Sequence, residues 1–359
     1  MIASALPLHP GSTSVDFLTW TSTAPTGGNV YDDRLTAALL EAGIDLRRHH
    51  VRGTWPAECE QHRDEVAALL RTRPVWLVDS IIACAVPDLV TEAADRGRPM
   101  TVLLHSLLST ELGLPEADRR RYEDLEGAAL RAAGLVVTTS QWAADDLSRR
   151  YGVTHTVVAH PGVDVVPVVP GSPGGTHLLS LGSLTPTKNQ LGFVAALSRT
   201  EHLPWSARVV GGDLVQPDYS AALRRVIDRE GLSDRIAVTG PLSGSALDEV
   251  WRDTDLLVVT SRSETYGMVV VEALAHGIPA VVSAGTGAVE ALGAIDDVVP
   301  GTSVMPDDAD ALADVLRLWL TDRALRQRWR DAARRRREGL TSWHDCAAVV
   351  RAALLDLHR

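Results

Sequence analysis

The feature that most constrains this chain is its alternation. Short apolar, β-branched runs recur along all 359 residues, each separated from the next by a stretch with helical periodicity. Strands joined through crossover helices pair in parallel and are covered on both faces, so the pattern implies an α/β fold built on parallel sheets. In the first half, strands are expected over 15–20, 75–79, 101–105, 135–139 and 156–159, and helices over 33–42, 65–72 and 118–133. Gly43, Pro74 and Gly134 sit where those helices should stop. The segment 165–175 holds three Pro, three Gly and no charged side chain, and reads as an interdomain linker. The alternation then restarts, with strands over 178–181, 207–210, 236–239, 256–260 and 280–283 and helices such as 219–230 and 247–251. The expected organisation is two doubly wound, Rossmann-like domains, 1–166 and 167–341, facing across a cleft. An amphipathic helix over 342–359 is placed to pack back across the linker.

Composition removes several function classes. The net charge is −11, from 35 Lys plus Arg against 46 Asp plus Glu, which opposes attraction to nucleic acid. No apolar run approaches the roughly 20 residues that span a bilayer. Met1 to Pro7 lacks the basic start and apolar stretch of a secretory signal, so a soluble, cytoplasmic protein is expected. Cys59, Cys84 and Cys346 form no CxxC and no histidine pairing at metal-ligand spacing, so buried free thiols are expected and no metal site. The arginines of 334–337 and 119–121 admit at most peripheral contact with anionic lipid, the plainer reading being solvated helix faces. Asp32-Asp33 and Asp307-Asp308 read as helix-start acids.

The stretch 255–285 carries the most chemistry and reads strand, loop, helix, turn, strand. Gly267 falls where the helix begins, and an amino terminus with a glycine beside it offers unpaired amides to an anion such as a diphosphate. Glu264 lies in the loop before it, and Glu272, four residues after Met268, shares a helix face with that residue. Carboxylates beside an anion make sense if they accept hydrogen bonds from hydroxyls, and a nucleotide sugar offers hydroxyls on both ribose and hexose. The other reading is that both glutamates only complement the helix dipole.

The run Ser261-Arg262-Ser263-Glu264-Thr265-Tyr266-Gly267-Met268-Val269-Val270-Val271-Glu272-Ala273-Leu274-Ala275-His276-Gly277-Ile278-Pro279 resembles the retaining GT-B glycosyltransferases of family 4. Weaker segments in the same order extend the resemblance: Thr26-Gly27-Gly28-Asn29, His160-Pro161-Gly162-Val163-Asp164 and Val209-Val210-Gly211-Gly212. A GxGxxG fingerprint is absent. By this resemblance Glu264 contacts donor-sugar hydroxyls, Glu272 holds the ribose, and the amides of Gly267, Met268 and Val269 meet the diphosphate and sugar.

Lys188, in the loop that begins at Gly182, resembles the family lysine that neutralises the diphosphate, its plain alternative being a solvated loop charge. Many relatives carry an arginine after the glycine corresponding to Gly182, where this chain has Ser183. Arg262 could supply the missing cation, or be an exposed loop residue. His105, closing a strand of the first domain, resembles the histidine that reaches the donor sugar, its plain alternative being a histidine bonded to nearby backbone. Gly27-Gly28 would let backbone approach a ligand closely or simply form a tight turn.

The resemblance implies transfer of a sugar from a nucleotide-sugar donor, UDP-linked before GDP-linked, to a hydroxyl acceptor with retention of configuration and without metal or cofactor. Two other classes stay open on the same fold: a nucleotide-sugar epimerase or phosphorylase, and a non-catalytic nucleotide-sugar-binding protein.

Overall fold

The computed structural model describes residues 14–20, 26–71 and 76–357. The first sheet carries β1 (Ser14–Trp20), β2 (Asp45–Val51), β3 (Trp76–Asp79), β4 (Thr101–Leu104), β5 (Leu135–Thr138) and β6 (Thr156–Val158). Its helices are α1 (Gly27–Glu41), α2 (Cys59–Leu70), α3 (Ser80–Ala85), α4 (Pro87–Asp95), α5 (Glu116–Ala132) and α6 (Gln141–Tyr151). The second sheet carries β7 (His177–Leu181), β8 (Ser206–Val210), β9 (Ile236–Thr239), β10 (Leu256–Val258), β11 (Ala280–Ser283) and β12 (Gly301–Val304). Around it run α7 (Gln190–Ser198), α8 (Pro217–Arg229), α9 (Gly244–Asp253), α10 (Met268–Ala275), α11 (Ala288–Leu292), α12 (Ala309–Thr321) and α13 (Arg323–Arg336). The chain closes with α14 (Trp343–Leu357).

Every strand pairing within the two sheets is parallel, in the orders β2-β1-β3-β4-β5-β6 and β12-β11-β10-β7-β8-β9. Both orders reverse direction once, between β1 and β3 and between β7 and β10. At such switch points the loops leave in opposite directions and open a crevice beyond the carboxyl ends of the strands. The central strands are rich in apolar residues on both faces because successive residues face different cores. Leu18, Val78, Val102 and Val136 point into one core of the first domain, and their neighbours Phe17, Leu77, Leu103 and Val137 into the other. Leu178, Leu256 and Val258 against Leu179, Leu257 and Val259 divide the second domain in the same way.

The sequence pattern misses two strands. β2 reads Asp-Leu-Arg-Arg-His-His-Val and is an edge strand, where polar side chains are tolerated; β12 is only four residues long and opens on a glycine. Helix α1 begins at Gly27 rather than 33, because the Thr26 hydroxyl caps it by accepting from the Asn29 amide. Asp32 is therefore not a helix-start acid: it lies mid-helix and is fully buried. Asp308 does cap α12, through the Ala311 amide. Val75 and Pro74, with residue 72, lie outside the described residues, as do Met1 to Pro7 and His358.

The segment 165–175 contains no helix or strand and is bound to the second domain by arginines from the basic stretch after α12. Arg330 pairs with Asp255 at 2.7 Å and donates to the Ser172 carbonyl, while Arg337 donates to the carbonyls of Val166 and Ala275. Arg326 is buried. Arg326, Arg330 and Arg337 are thus not part of a solvated face, whereas Arg328 and Arg335 of the same stretch are exposed. Helix α14 returns to the first domain, where Cys346, Ala347, Val350 and Leu354 share a core with Tyr31 and Leu35 of α1. All three thiols are buried and free. No helix among the described residues is long and apolar enough to cross a membrane.

Candidate functional site

The second domain's switch point lies where β7 and β10 end. After β7 the chain turns at Gly182, whose φ is +153°, and runs close to the next loop: a Cβ on Gly211 would sit 1.9 Å from the Gly182 carbonyl oxygen. Only glycine permits that approach. The loop then folds over Thr185, and Asn189 caps α7 from the left-handed region, with φ 54°. The Thr260 hydroxyl beyond β10 donates to the carbonyls of Lys188 and Asn189, and the Arg262 amide to that of Thr187. These bonds bring the two loops together and fix the start of the Lys188 side chain.

The Lys188 ammonium donates to Glu264 Oε2 at 2.5 Å, and the Ser261 hydroxyl meets the same oxygen at 3.3 Å. Burial pushes the Lys188 pKa down, but the Glu264 charge and hydrogen bond, with the Glu111 charge, together outweigh it, and the net shift is upward. The ammonium and the Glu264 side chain are thus paired. Ser183 is half-buried, and its carbonyl accepts from the Gln190 side chain. Arg262 is committed elsewhere: its guanidinium meets Asp307 at 2.7 Å and the Pro186 carbonyl at 2.8 Å. The sequence placed Arg262 near the anion site; the structure ties its charge to the rim.

Gly267, with φ +90°, turns the chain into α10, and no side chain caps the helix. The amides of Gly267, Met268 and Val269 are consequently the exposed positive end of a helix dipole. Met268 packs toward the first domain's core. Glu272, one turn further on the same face, is half-buried and has no hydrogen-bond partner among the described residues. Desolvation pushes its pKa up to about 7, with the Asp164 charge adding and that of Arg34 opposing. A carboxyl held this way is poised to accept hydroxyls.

His105 follows β4, one strand beyond the first domain's switch point, and lies beneath the first turns of α1. Its Nε2 meets Asp32 Oδ1 at 2.7 Å and lies 3.9 Å from Asp79 Oδ2. Tyr31 stacks edge-on against the ring at 5.0 Å. Gly28 lies against the ring so closely that a Cβ there would be 3.2 Å from Cδ2, whereas a Cβ on Gly27 would meet open space. The two glycines therefore do different things, one seating a side chain and the other leaving room beside a helix terminus. Desolvation opposes charge on His105, yet Asp32 and then Asp79 raise its pKa overall. Burial and the Asp32 charge raise Asp79 to about 7. Asp79 and Glu111 were not singled out from sequence, and Asp32 was read only as a helix-start acid. The available signal was the spacing of Gly28, Tyr31 and Asp32, which places all three on one helix face. Among the described residues Asp32, Asp79 and His105 are the one group whose potential ligand atoms come within 4.8 Å of one another.

The two domains meet across this cleft. The Thr265 hydroxyl donates to the His105 carbonyl at 2.6 Å, Ser140 donates to the Thr265 carbonyl, and Ser263 and Thr110 share a hydrogen bond of 3.1 Å. The Leu112 amide donates to the Thr187 hydroxyl, which donates in turn to Glu111. Glu290 of α11 accepts from the Gln141 and Trp142 amides at the start of α6 and pairs with His160 at 2.6 Å. His105, Lys188, Glu264 and the α10 terminus thus converge on one crevice, with Glu272 on the α10 face turned toward the first domain.

The model for "Glycosyltransferase Family 4" matches residues 27–166, and that for "Glycosyl transferases group 1" matches 171–336. Among curated relatives, the D-inositol 3-phosphate glycosyltransferase of Xylanimonas cellulosilytica is 33% identical over 256 residues, 65% of this chain and 58% of that protein. The mannosylfructose-phosphate synthase of Agrobacterium fabrum is 28% identical over 173 residues, 43% of this chain and 38% of its own. These matches thus span well under two thirds of either relative. Among solved structures, the sucrose-phosphate synthase of Thermosynechococcus elongatus superposes with a TM-score of 0.78 at 20% identity, over 96% of this chain and 99% of that one. The Anabaena protein HepE, solved in complex with UDP and glucose, gives 0.74 at 19%, over 94% and 98%. With both domain models matched from residue 27 to residue 336 and the two-sheet GT-B architecture in place, this chain belongs to the family 4 glycosyltransferases.

Proposed function

We propose that the protein transfers a glycosyl group from a nucleotide-sugar donor, UDP-linked in preference to GDP-linked, to a hydroxyl acceptor held by the first domain. The observation that carries this reading is the convergence of the Lys188–Glu264 pair and the uncapped α10 terminus opposite His105. Departure of a diphosphate leaves negative charge on the leaving group, and an ammonium beside helix amides is aimed at that charge. On binding, the diphosphate takes the Lys188 ammonium from Glu264, which frees the glutamate for hydroxyls of the donor sugar. Glu272 takes the ribose hydroxyls. The reaction proceeds with retention and without metal, the acceptor attacking from the face the diphosphate leaves. With Ser183 contributing no charge and Arg262 held by Asp307, Lys188 carries the cationic role. The HepE complex with UDP and glucose supports the choice of base, and the absence of a membrane-spanning helix among the described residues fits work in the cytoplasm.

Calorimetric titration of UDP, GDP and their common sugar conjugates into the wild type and Glu272→Ala tests the reading. One nucleotide series should bind the wild type and lose affinity in the variant. No binding of any of them to folded wild-type protein would sink the donor-site assignment.

A further inference from the structure

The glycosyl-transfer reading uses His105 but leaves unexplained why two buried carboxyl groups stand behind it. Asp32 and Asp79 come from separate elements, the second turn of α1 and the end of β3, and both are shielded from solvent. Three buried charges in such a place would cost several kcal/mol of desolvation each unless they neutralise one another. Asp32 Oδ1 is used by the His105 Nε2 at 2.7 Å, but Asp32 Oδ2 is buried with no hydrogen-bond partner among the described residues. A buried acceptor left that way is expensive, and the group able to satisfy it is the neighbouring carboxyl. Burial and the Asp32 charge raise the Asp79 pKa to about 7, and the Ile81 amide donates to Asp79 Oδ1 at 2.7 Å, while Oδ2 lies 3.9 Å from His105 Nε2.

We propose that Asp32 and Asp79 act as one proton-sharing carboxyl pair that positions His105, turning Nε2 inward and leaving Nδ1 as the ring nitrogen available to a ligand in the cleft. In this pair Asp79 donates its proton to Asp32 Oδ2, and Asp32 keeps Oδ1 for the His105 ring. The rest of the seat is steric. Gly28 and Tyr31, four and one residues before Asp32, contact the ring face and edge, which excludes other rotations of the imidazole. The titratable groups that act on His105 are Asp32 from α1 and Asp79 from β3; the loop that touches its backbone from the second domain contributes Thr265, which does not titrate. Asp32 is in these terms a positioning residue, acting through His105. Nδ1 has no partner among the described residues, so the ring keeps one valence for substrate.

The inference rests on the glycosyl-transfer reading only in its kinetic arm. In the spectroscopic arm, protein labelled with 15N-histidine is titrated by NMR, and the His105 signals among the 12 histidines are identified by their loss in His105→Gln. Asp32→Asn should lower the His105 midpoint by about one unit or more, the size of an opposite charge at this range. In the kinetic arm, turnover of UDP-glucose by Asp32→Asn should fall by roughly 10²-fold in kcat. The affinity for UDP alone should change little. Asp79→Asn keeps a donor toward Asp32 and should retain kcat within about tenfold, whereas Asp79→Ala should fall with Asp32→Asn. An unmoved His105 midpoint in Asp32→Asn, or equal damage from Asp79→Asn and Asp79→Ala, would overturn the proposal. Should Asp32→Asn not fold, the wild type decides: an Asp79 carboxyl that titrates in the ordinary range near 4 rules out the shared proton. If the wild type turns over no nucleotide sugar, the glycosyl-transfer reading fails while the histidine titration still judges the pair.

Discussion

Glu272 and Lys188 sit in the same crevice and respond to burial in opposite ways. Lys188 has Glu264 beside it and stays charged, whereas Glu272 has no partner and is raised to about 7. A carboxyl whose folded pKa exceeds its unfolded one binds more protons when folded, so its contribution falls as pH rises from about 4 to beyond 7. Asp79 and His105, both raised, act in the same direction, and the His105 contribution is complete below its unfolded value and lost as pH climbs through the folded one. Glu272→Gln should therefore raise the melting temperature of the ligand-free protein at pH 8 and change it little at pH 5, while weakening donor binding. Melting curves at the two pH values, paired with calorimetry, check both halves. Lys188→Ala is expected to lower kcat/KM by roughly 10²–10³-fold, comparable to the loss of one oxyanion donor. A variant with near wild-type kcat/KM would remove Lys188 from the leaving-group role.

Among the elements, α1 and the loop after β7 carry the tightest geometric demands. Gly28→Ala adds helix propensity, worth up to about 1 kcal/mol, yet its methyl would press on the His105 ring. The expected outcome is unchanged or higher stability with activity lowered about tenfold, a separation that urea melts and kinetics on one preparation resolve. Gly211→Ala has no such gain, because its methyl would meet the backbone carbonyl of Gly182 at 1.9 Å. Overpacking against backbone should cost about 1–3 kcal/mol in urea unfolding, with the second domain's melting affected first. These elements also mark how far the sequence could be read. The loop from Glu264 to Glu272 was legible because strand, glycine and helix follow one another along the chain and local rules apply. The acid pair Asp32-Asp33 was not, since its local pattern fits a helix start equally well. β2 was missed for a related reason: an edge strand does not bury both faces, so its composition carries no strand signal.

At the scale of the whole molecule, the two domains are joined by a set of polar bonds together with the packing of Met268 toward the first domain's core. Glu290 alone receives two amides and His160 from the first domain. Glu290→Ala should shift the domains toward a more open ensemble, detectable as a larger radius of gyration in solution scattering. A loss of about 1.4 kcal/mol of closure free energy would raise the donor KM roughly tenfold. A variant with unchanged scattering and KM would mean that the Glu290 contacts do not hold the domains together.

The sequence by itself determined the two parallel sheets and the region of the linker, and its resemblance to a family marked Gly267, Glu264, Glu272 and Lys188 as donor-side candidates. The sheets and linker follow from periodicity and glycine placement within single segments, which are properties of neighbouring residues. Only the tertiary structure decided that Asp32 and Asp79 stand behind His105, that Arg262 belongs to Asp307, that α14 completes the first domain's core, and that the arginines after α12 bind the linker. Each of these joins residues far apart in the chain, in settings where burial and an available partner fix a side chain's role. A charged residue reads the same in sequence whether it faces water or fills the one vacancy left by a distant carbonyl.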